Sequence, residues 1–321
     1  MSERTGRSAA VKRGSHKEGR HRSGFVSLAG RPNTGKSTLL NALVGEKVAI
    51  TAYQAQTTRT SLQGVLTTPE AQIVFIDTPG IHKSDTLFNK RMMDTVRGAL
   101  QDRDLVLFVA DATRAVTGED EHAASALDKQ AKALLVLNKI DRVADKRLLL
   151  PQIERYMELF PFAEAVPVSA RTGAGLEELK RVILQHLPEG PALYAEDYLT
   201  DQPMRFLAAE IIRERILRAA REEVPHAAAI LIDSWEETPR LVKIAATIHV
   251  ERQGQKTILI GNKGQMLKKI GSEARQELER MLERKVFLTL FVKVKPGWRE
   301  DPSFLNAVDW RSMVGSEDRP K

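Results

Sequence analysis

Eight consecutive residues, Gly30-Arg31-Pro32-Asn33-Thr34-Gly35-Lys36-Ser37, have the types and spacing to hold a polyphosphate. They fit G-x-x-x-x-G-K-[ST], in which glycines let the backbone wrap the phosphates so that successive N–H groups face the charge. Lys36 is placed to reach the β- and γ-phosphates, and the Ser37 hydroxyl to ligate Mg²⁺. The motif has the neighbours it needs: an apolar run at 25–29 that reads as a buried strand, and apolar residues at helical spacing over 38–44. Alone, the loop does not specify the nucleotide.

Three further motifs each follow an apolar run. Asp77-Thr78-Pro79-Gly80 follows Ile73–Ile76; Asp77 can hold the metal's water shell, and Gly80 can offer its N–H to a γ-phosphate. Asn138-Lys139-Ile140-Asp141 follows Leu134–Leu137, and the Asp141 carboxylate can accept from both the ring N–H and the exocyclic amine of guanine, a donor pair adenine lacks. Ser169-Ala170-Arg171 follows Val166–Val168, and its backbone N–H can bond the guanine carbonyl. In this order the motifs specify GTP and GDP.

Between the glycine loop and Asp77 lies Ala55-Gln56-Thr57-Thr58-Arg59-Thr60, a segment placed to act as a switch. Such a segment needs a threonine that closes on Mg²⁺ when the γ-phosphate is present. Thr57 and Thr58 both qualify, and we take Thr58, with Ser37 and Asp77, as the metal set; Lys36, Thr58 and Gly80 are the candidate catalytic groups. Residues 81–95 form the natural second switch. Ile81 stands where Ras-like enzymes carry the glutamine that orients the attacking water, so unaided hydrolysis should be slow. Arg59 is an arginine finger only by location and is read as a solvated charge.

These motifs need a scaffold that brings them to one place. Strand candidates at 25–29, 62–66, 72–77, 105–110, 133–138 and 165–168 alternate with helix candidates at 36–44, 87–100, 119–130, 147–159 and 175–187. That alternation predicts an α/β domain with a mostly parallel sheet over 24–187, whose ligand site lies at the carboxyl ends of the strands. A chain of 321 residues suits about two domains, and it has no cysteine, which excludes disulfides and thiolate metal sites and fits a reducing cytoplasm. No apolar run approaches the ~20 residues needed to span a bilayer.

The net charge of +7 is unevenly spread. Residues 1–23 carry +5 and almost no apolar side chains, so they read as a disordered basic extension; the nucleotide-binding region over 24–200 is slightly acidic, and 201–321 carries +4. Residues 188–204, with four Pro and Gly positions, read as a linker. Beyond it come a helix over 205–223, a strand at 230–232 and an alternating strand over 242–250, in which His249 is read as solvated. Gly261-Asn262-Lys263-Gly264 then precedes a helix running to about 284, with Met266, Leu267, Ile270 and Leu278 as core and a final strand over 286–294. A Gly-x-x-Gly turn can clamp single-stranded nucleic acid, the glycines admitting the sugar-phosphate chain closely. Lys263, Lys268 and Lys269 stand beside it, and 240–300 holds 14 basic against 6 acidic residues. Residues 311–321 are a loose tail.

The whole order resembles the Era family of bacterial GTPases, a GTPase domain followed by a type II KH domain. Gly-Arg-Pro-Asn-x-Gly-Lys-Ser-Thr at 30–38, Gln-Thr-Thr-Arg at 56–59, Asp-Thr-Pro-Gly at 77–80, Asn-Lys-Ile-Asp at 138–141, Ile-Gly-Asn-Lys-Gly at 260–264 and Val-Lys-Val-Lys-x-Gly-Trp at 292–298 carry the resemblance over about 24–310. It implies an α+β KH domain over 205–310 that binds the 3′ end of 16S rRNA through Gly261, Asn262, Lys263, Gly264 and Lys268. It also implies a role in assembling the small ribosomal subunit, a cytoplasmic monomer with peripheral association at the inner membrane, and, through Asn33, a K⁺ ion near the β- and γ-phosphates. The basic segment 1–23 is not a family feature, and Thr34 stands where the family usually has Val. Three other readings have discriminators: an RNA-modifying enzyme needs a catalytic motif absent from 188–321, a membrane signalling GTPase would not bind the RNA end, and a P-loop kinase would prefer ATP.

Overall fold

In the computed structural model the described residues are 21–52, 57–81, 86–101, 103–220 and 227–309. Residues 1–20 of the basic extension, Ala55 and Gln56 of the first switch segment, 82–85 of the second, 221–223 of the expected helix, residue 310 and the tail 311–321 lie outside them.

Six strands form the first sheet: β1 (Arg22–Ala29), β2 (Leu62–Thr68), β3 (Ala71–Asp77), β4 (Leu105–Asp111), β5 (Ala133–Asn138) and β6 (Glu164–Pro167), in the spatial order β2-β3-β1-β4-β5-β6. Every pairing is parallel except β2 against β3. Each residue of β3, β4 and β5 is buried, as expected of strands covered on both faces. One face is covered by α1 (Lys36–Val44) and α5 (Leu176–His186), the other by α2 (Leu87–Leu100), α3 (Gly118–Ser125) and α4 (Leu149–Leu159).

Three departures from the sequence reading have a visible cause. β1 begins at Arg22 rather than at Phe25, because Arg22 N–H donates to the Glu70 carbonyl and Ser23 N–H to that of Pro188. The helix expected over 119–130 ends at Ser125; Asp128 turns the chain by accepting from Gln130 N–H, a side-chain bond that competes with helix. The presumed linker is fastened to the open edge of the sheet. Gln72 accepts from the Leu193 and Tyr194 amides, Val65 N–H donates to the Leu199 carbonyl, and Thr200 Oγ1 donates to the Gln63 carbonyl. That strap covers β2, an edge strand that would otherwise present unpaired backbone groups.

The second unit packs α6 (Met204–Ala219), α7 (Gln253–Ile260) and α8 (Gln265–Leu282) with a three-stranded sheet of β7 (Ala229–Glu237), β8 (Leu241–Val250) and β9 (Lys285–Val294). β7 and β8 are antiparallel, β8 and β9 parallel. The last helix among the described residues is α9 (Pro302–Val308), capped by Asp301 through the Ser303 and Phe304 amides and with Pro302 at its first position. His249 is not solvated: its ring stands edge-on to Phe304 at 4.9 Å.

The two units share a core. Trp298, Phe304 and Leu305 join Phe88 and Met92 of α2 in one buried apolar cluster, with the Trp298 and Phe88 rings edge to face at 5.5 Å. Trp298 is fully buried, and its Nε1–H donates to the Ala227 carbonyl. No helix among the described residues is long and apolar enough to cross a membrane.

Candidate functional site

The glycine loop, the end of β3 and the first switch segment line one cleft, which Pro32, Asn33, Gly35, Lys36, Ser37, Thr51, Thr57, Thr58, Thr78 and Gly80 share. At its floor three oxygens meet. Ser37 Oγ donates to Asp77 Oδ2 at 2.6 Å, Thr58 Oγ1 donates to the same oxygen at 2.9 Å, and the two hydroxyls are 2.8 Å apart. Asp77 is fully buried at the end of β3, and its other oxygen, Oδ1, is buried without a hydrogen-bond partner. Burial pushes this carboxyl above the ordinary range, although Ser37, Lys36 and Thr58 oppose the shift. Thr57 also lines the cleft, but its carbonyl accepts from the Arg213 guanidinium of α6.

Lys36 is buried, with Nζ donating to the Gly30 and Arg31 carbonyls at 3.0 and 2.9 Å. Burial pulls its ammonium down to about 8 against the attraction of Asp77, and the charges of Arg31 and Lys139 lower it further. The Arg31 side chain turns out of the cleft to Asp120 of α3, 2.9 Å away, so Arg31 presents only its backbone to a ligand. Thr34 is buried, and its hydroxyl donates to the Arg31 carbonyl. Thr78 Oγ1 donates to the Leu28 carbonyl, tying the β3 end to β1, and Pro79 behind it is buried. Gly80 comes so close to Pro32 that a Cβ would lie 2.6 Å from its nitrogen, so no other residue keeps this second loop against the first. Ile81 donates its N–H to the Gly30 carbonyl and buries its side chain in the cluster that holds Phe88 and Met92.

At the far end, Asn138 joins three loops. Its Nδ2 donates to the Thr34 carbonyl, and its Oδ1 accepts from the Lys139 and Ala170 amides. The Ala170 N–H, expected to meet the guanine carbonyl, is thus bonded to Asn138 here. Lys139, at a left-handed φ of 70°, donates to the Asn33 carbonyl at 2.5 Å and pairs with Asp111 at 2.7 Å. Burial would raise the Asp111 carboxyl, but Lys139 and Thr113 outweigh it and hold it below its ordinary value. Ile140 opens a short 3₁₀ turn whose next residue, Asp141, accepts from Ser169 Oγ at 2.8 Å and lies 3.0 Å from the Arg171 guanidinium.

Arg59 is not a solvated charge. Its guanidinium lies over the Phe88 and Trp298 rings at 5.3 and 5.9 Å and donates to the Ala228 carbonyl at 2.7 Å, pointing into the second unit. Burial, with Arg213 nearby, lowers its pKa well below the ordinary guanidinium value. Glu214 of α6 is another group the sequence did not flag. It is fully buried and gathers the Thr51 N–H, Lys47, Arg215 and Arg218, fastening the approach to the first switch onto the second unit. Its signal in the sequence is an acid on the same turn of α6 as buried Ile211, Ile212 and Ile216.

The Gly-x-x-Gly turn joins α7 to α8. Gly261 has φ 71°, and a Cβ there would lie 2.6 Å from that of Met266, so the tight entry into α8 depends on glycine. Asn262, Lys263, Lys268 and Lys269 are exposed, while Gly264 is partly buried. Ile270 and Leu278 are core, and Met266 and Leu267 pack partly buried against it.

Similarity to known proteins follows the same division. The family model for the 50S ribosome-binding GTPase matches residues 25–139, and that for the KH domain matches 223–299. The chain is 49% identical over 292 residues to GTPase Era of Geobacter metallireducens, covering 90% of this chain and 98% of that one. It is 46% identical over 293 residues to GTPase Era of Nostoc sp., covering 90% of each. Among solved structures it resembles Era in complex with MgGDPNP and nucleotides 1506–1542 of 16S ribosomal RNA, with TM-score 0.88, 42% identity and coverage of 90% and 99%. It likewise resembles an Aquifex aeolicus Era variant bound to GDP·AlF4⁻, with TM-score 0.87 and 42% identity over the same shares.

Proposed function

The chain belongs to the Era family of GTPases, with an N-terminal GTPase domain and a C-terminal KH domain, and from that premise we propose that it is a slow GTP–GDP switch that binds the 3′ end of 16S rRNA and serves assembly of the small ribosomal subunit. The observation that carries the nucleotide half is the meeting of the Ser37 and Thr58 hydroxyls on Asp77, at 2.6 and 2.9 Å. Two hydroxyls and a carboxylate are hard oxygen donors of the kind Mg²⁺ takes, and the partnerless Oδ1 of Asp77 suits a cation or its water. When bound there, Mg²⁺ would neutralise charge on the β- and γ-phosphate oxygens.

The chain's own groups do the rest. Lys36 exchanges two loop carbonyls for phosphate oxygens, Gly80 offers its N–H to the γ-phosphate, and Thr58 closes the first switch over the metal corner. Asp141 accepts from the guanine ring N–H and exocyclic amine, displacing its contact with Arg171. With Ile81 buried, no side chain directly after Gly80 orients the water, so the basal rate is slow. We assign a K⁺ ion beside Asn33 a share of that missing role; equal hydrolysis rates in Na⁺ and K⁺ at matched ionic strength would remove it.

The RNA half rests on the exposed Asn262, Lys263 and Lys268 around the Gly261–Gly264 turn, and on the relative whose complex contains nucleotides 1506–1542 of 16S rRNA. The test is GTP hydrolysis by the full chain with and without an oligonucleotide copying that RNA end. Stimulation is expected, together with binding weakened about tenfold or more by Gly264→Asp, where an added Cβ meets nothing within 4 Å but a carboxylate would stand where phosphates pass. Absence of both binding and stimulation would leave a GTPase without this RNA.

A further inference from the structure

Thr58 is flanked by two residues that the KH unit holds directly. On one side, the Arg213 guanidinium donates to the Thr57 carbonyl. Arg213 is only 2% exposed on α6, and its planar group is fixed by Glu210, which accepts from Nε at 2.7 Å and from NH2 at 2.6 Å. On the other side, Arg59 lies over the Trp298 and Phe88 rings and donates to the Ala228 carbonyl. Trp298 is itself locked by its bond to Ala227 and its edge-to-face contact with Phe88. Between these anchors Thr58 places its hydroxyl 2.9 Å from Asp77.

We propose that Arg213 and the Trp298–Ala228 clasp on Arg59 are positioning groups for Thr58, so that the KH unit holds the first switch in its metal-closing arrangement. This rests on the reading of Thr58 as the switch ligand. The physical basis is a short lever. With the residues before and after it fixed, Thr58 has few backbone conformations left, so little ordering entropy is lost when it closes. If either anchor is removed, closure must order the segment unaided. The anchors lie on the KH side of the shared core, so anything that shifts α6 or Trp298 changes how readily Thr58 closes. GDP, which does not require Thr58, is insensitive to both anchors.

The experiment compares affinities of the full-length protein for GDP and for a non-hydrolysable GTP analogue with Mg²⁺, in wild type, Thr58→Ala, Arg213→Ala and Arg59→Lys. The proposal expects Arg213→Ala to weaken the analogue about tenfold, the order of a hydrogen bond from a charged donor, with GDP affinity unchanged. Arg59→Lys keeps the charge but loses planar stacking, so it should give a smaller loss of the same kind and serves if Arg213→Ala does not fold. A purely structural role would lower both affinities together, and that result overturns the proposal. If Thr58→Ala shows the analogue-specific loss and neither arginine variant does, the anchors are not positioning groups. If Thr58→Ala itself shows no such loss, the assignment of the switch ligand fails instead.

Discussion

In the function proposed, the loop Gly30–Ser37 and the turn Gly261–Gly264 both bring backbone near phosphates through glycines, yet their cations are treated oppositely. In the first, Lys36 is buried and held by two carbonyls, and Lys139 bridges the Asn33 carbonyl and Asp111. In the second, Lys263, Lys268 and Lys269 stand in solvent. The difference teaches what each site recognises. A nucleotide of fixed shape suits desolvated donors aimed in advance, each of them costly to remove. A flexible RNA strand suits backbone clearance and mobile charge, where each lysine counts for little and salt competes.

The sharpest test of that contrast is Lys36→Ala. It should lower affinity for GDP and for GTP analogues on the order of 10²-fold, because buried phosphate oxygens would lose a charged donor. Equilibrium titration with a fluorescent guanine nucleotide measures this. A loss of only two- or threefold would mean that the nucleotide loop behaves like the solvent-exposed turn, and the contrast would fail.

Much of this arrangement is legible in the residues themselves. The nucleotide motifs sit after apolar strands, and a parallel sheet brings strand ends to one edge, so Ser37, Asp77 and Asp141 could be placed without coordinates. Thr58 was separable from Thr57 only as a preference, since which of two adjacent hydroxyls faces Asp77 depends on φ and ψ at both. What stayed illegible is what tertiary contact decides. Arg59 has the composition of a solvated charge, and nothing local announces that Trp298, more than two hundred positions later, lies beneath it. The segment 188–204 reads as a linker because its anchors, Gln63 and Gln72, lie on β2 and β3. The α9 start was local and still missed, although Asp301-Pro302 is a capping signature.

His249 is an intermediate case, a titratable group neither locked like Lys36 nor free like Lys268. Its Nδ1 is buried without a hydrogen-bond partner, its ring rests on Phe304, and burial with Lys293 nearby lowers its pKa. Asp233 opposes that shift, and Lys295 adds to it. Because the folded state holds the proton less well than the unfolded one, no stability is lost above the ordinary histidine range. Loss begins as pH falls through about 6.5 and continues down to the lowered folded value, at no more than about 1.4 kcal/mol per pH unit. Thermal unfolding of wild type and His249→Phe between pH 7.5 and 5.5 should therefore diverge on acidification, with the variant falling less. Parallel curves would place His249 with the solvated groups after all.

The smallest expected effect tests the turn from the other direction. Lys268 is exposed on the first turns of α8, where it would meet a passing phosphate as a point charge rather than read a base. Lys268→Ala should then weaken the RNA 3′-end oligonucleotide only a few-fold, and equally for a scrambled sequence of the same length. The plot of log affinity against log salt should become shallower by about 0.7, the contribution of one single-strand phosphate. Titrations at several salt concentrations separate the outcomes. A large loss confined to the native sequence with an unchanged slope would mean that Lys268 is aimed at a base edge, which would make the turn a preformed donor site of the kind found at Lys36. A small, sequence-independent loss with the shallower slope would instead fix its character as clearance plus charge. Among the described residues, recognition would then depend on a buried cation in the GTPase half alone.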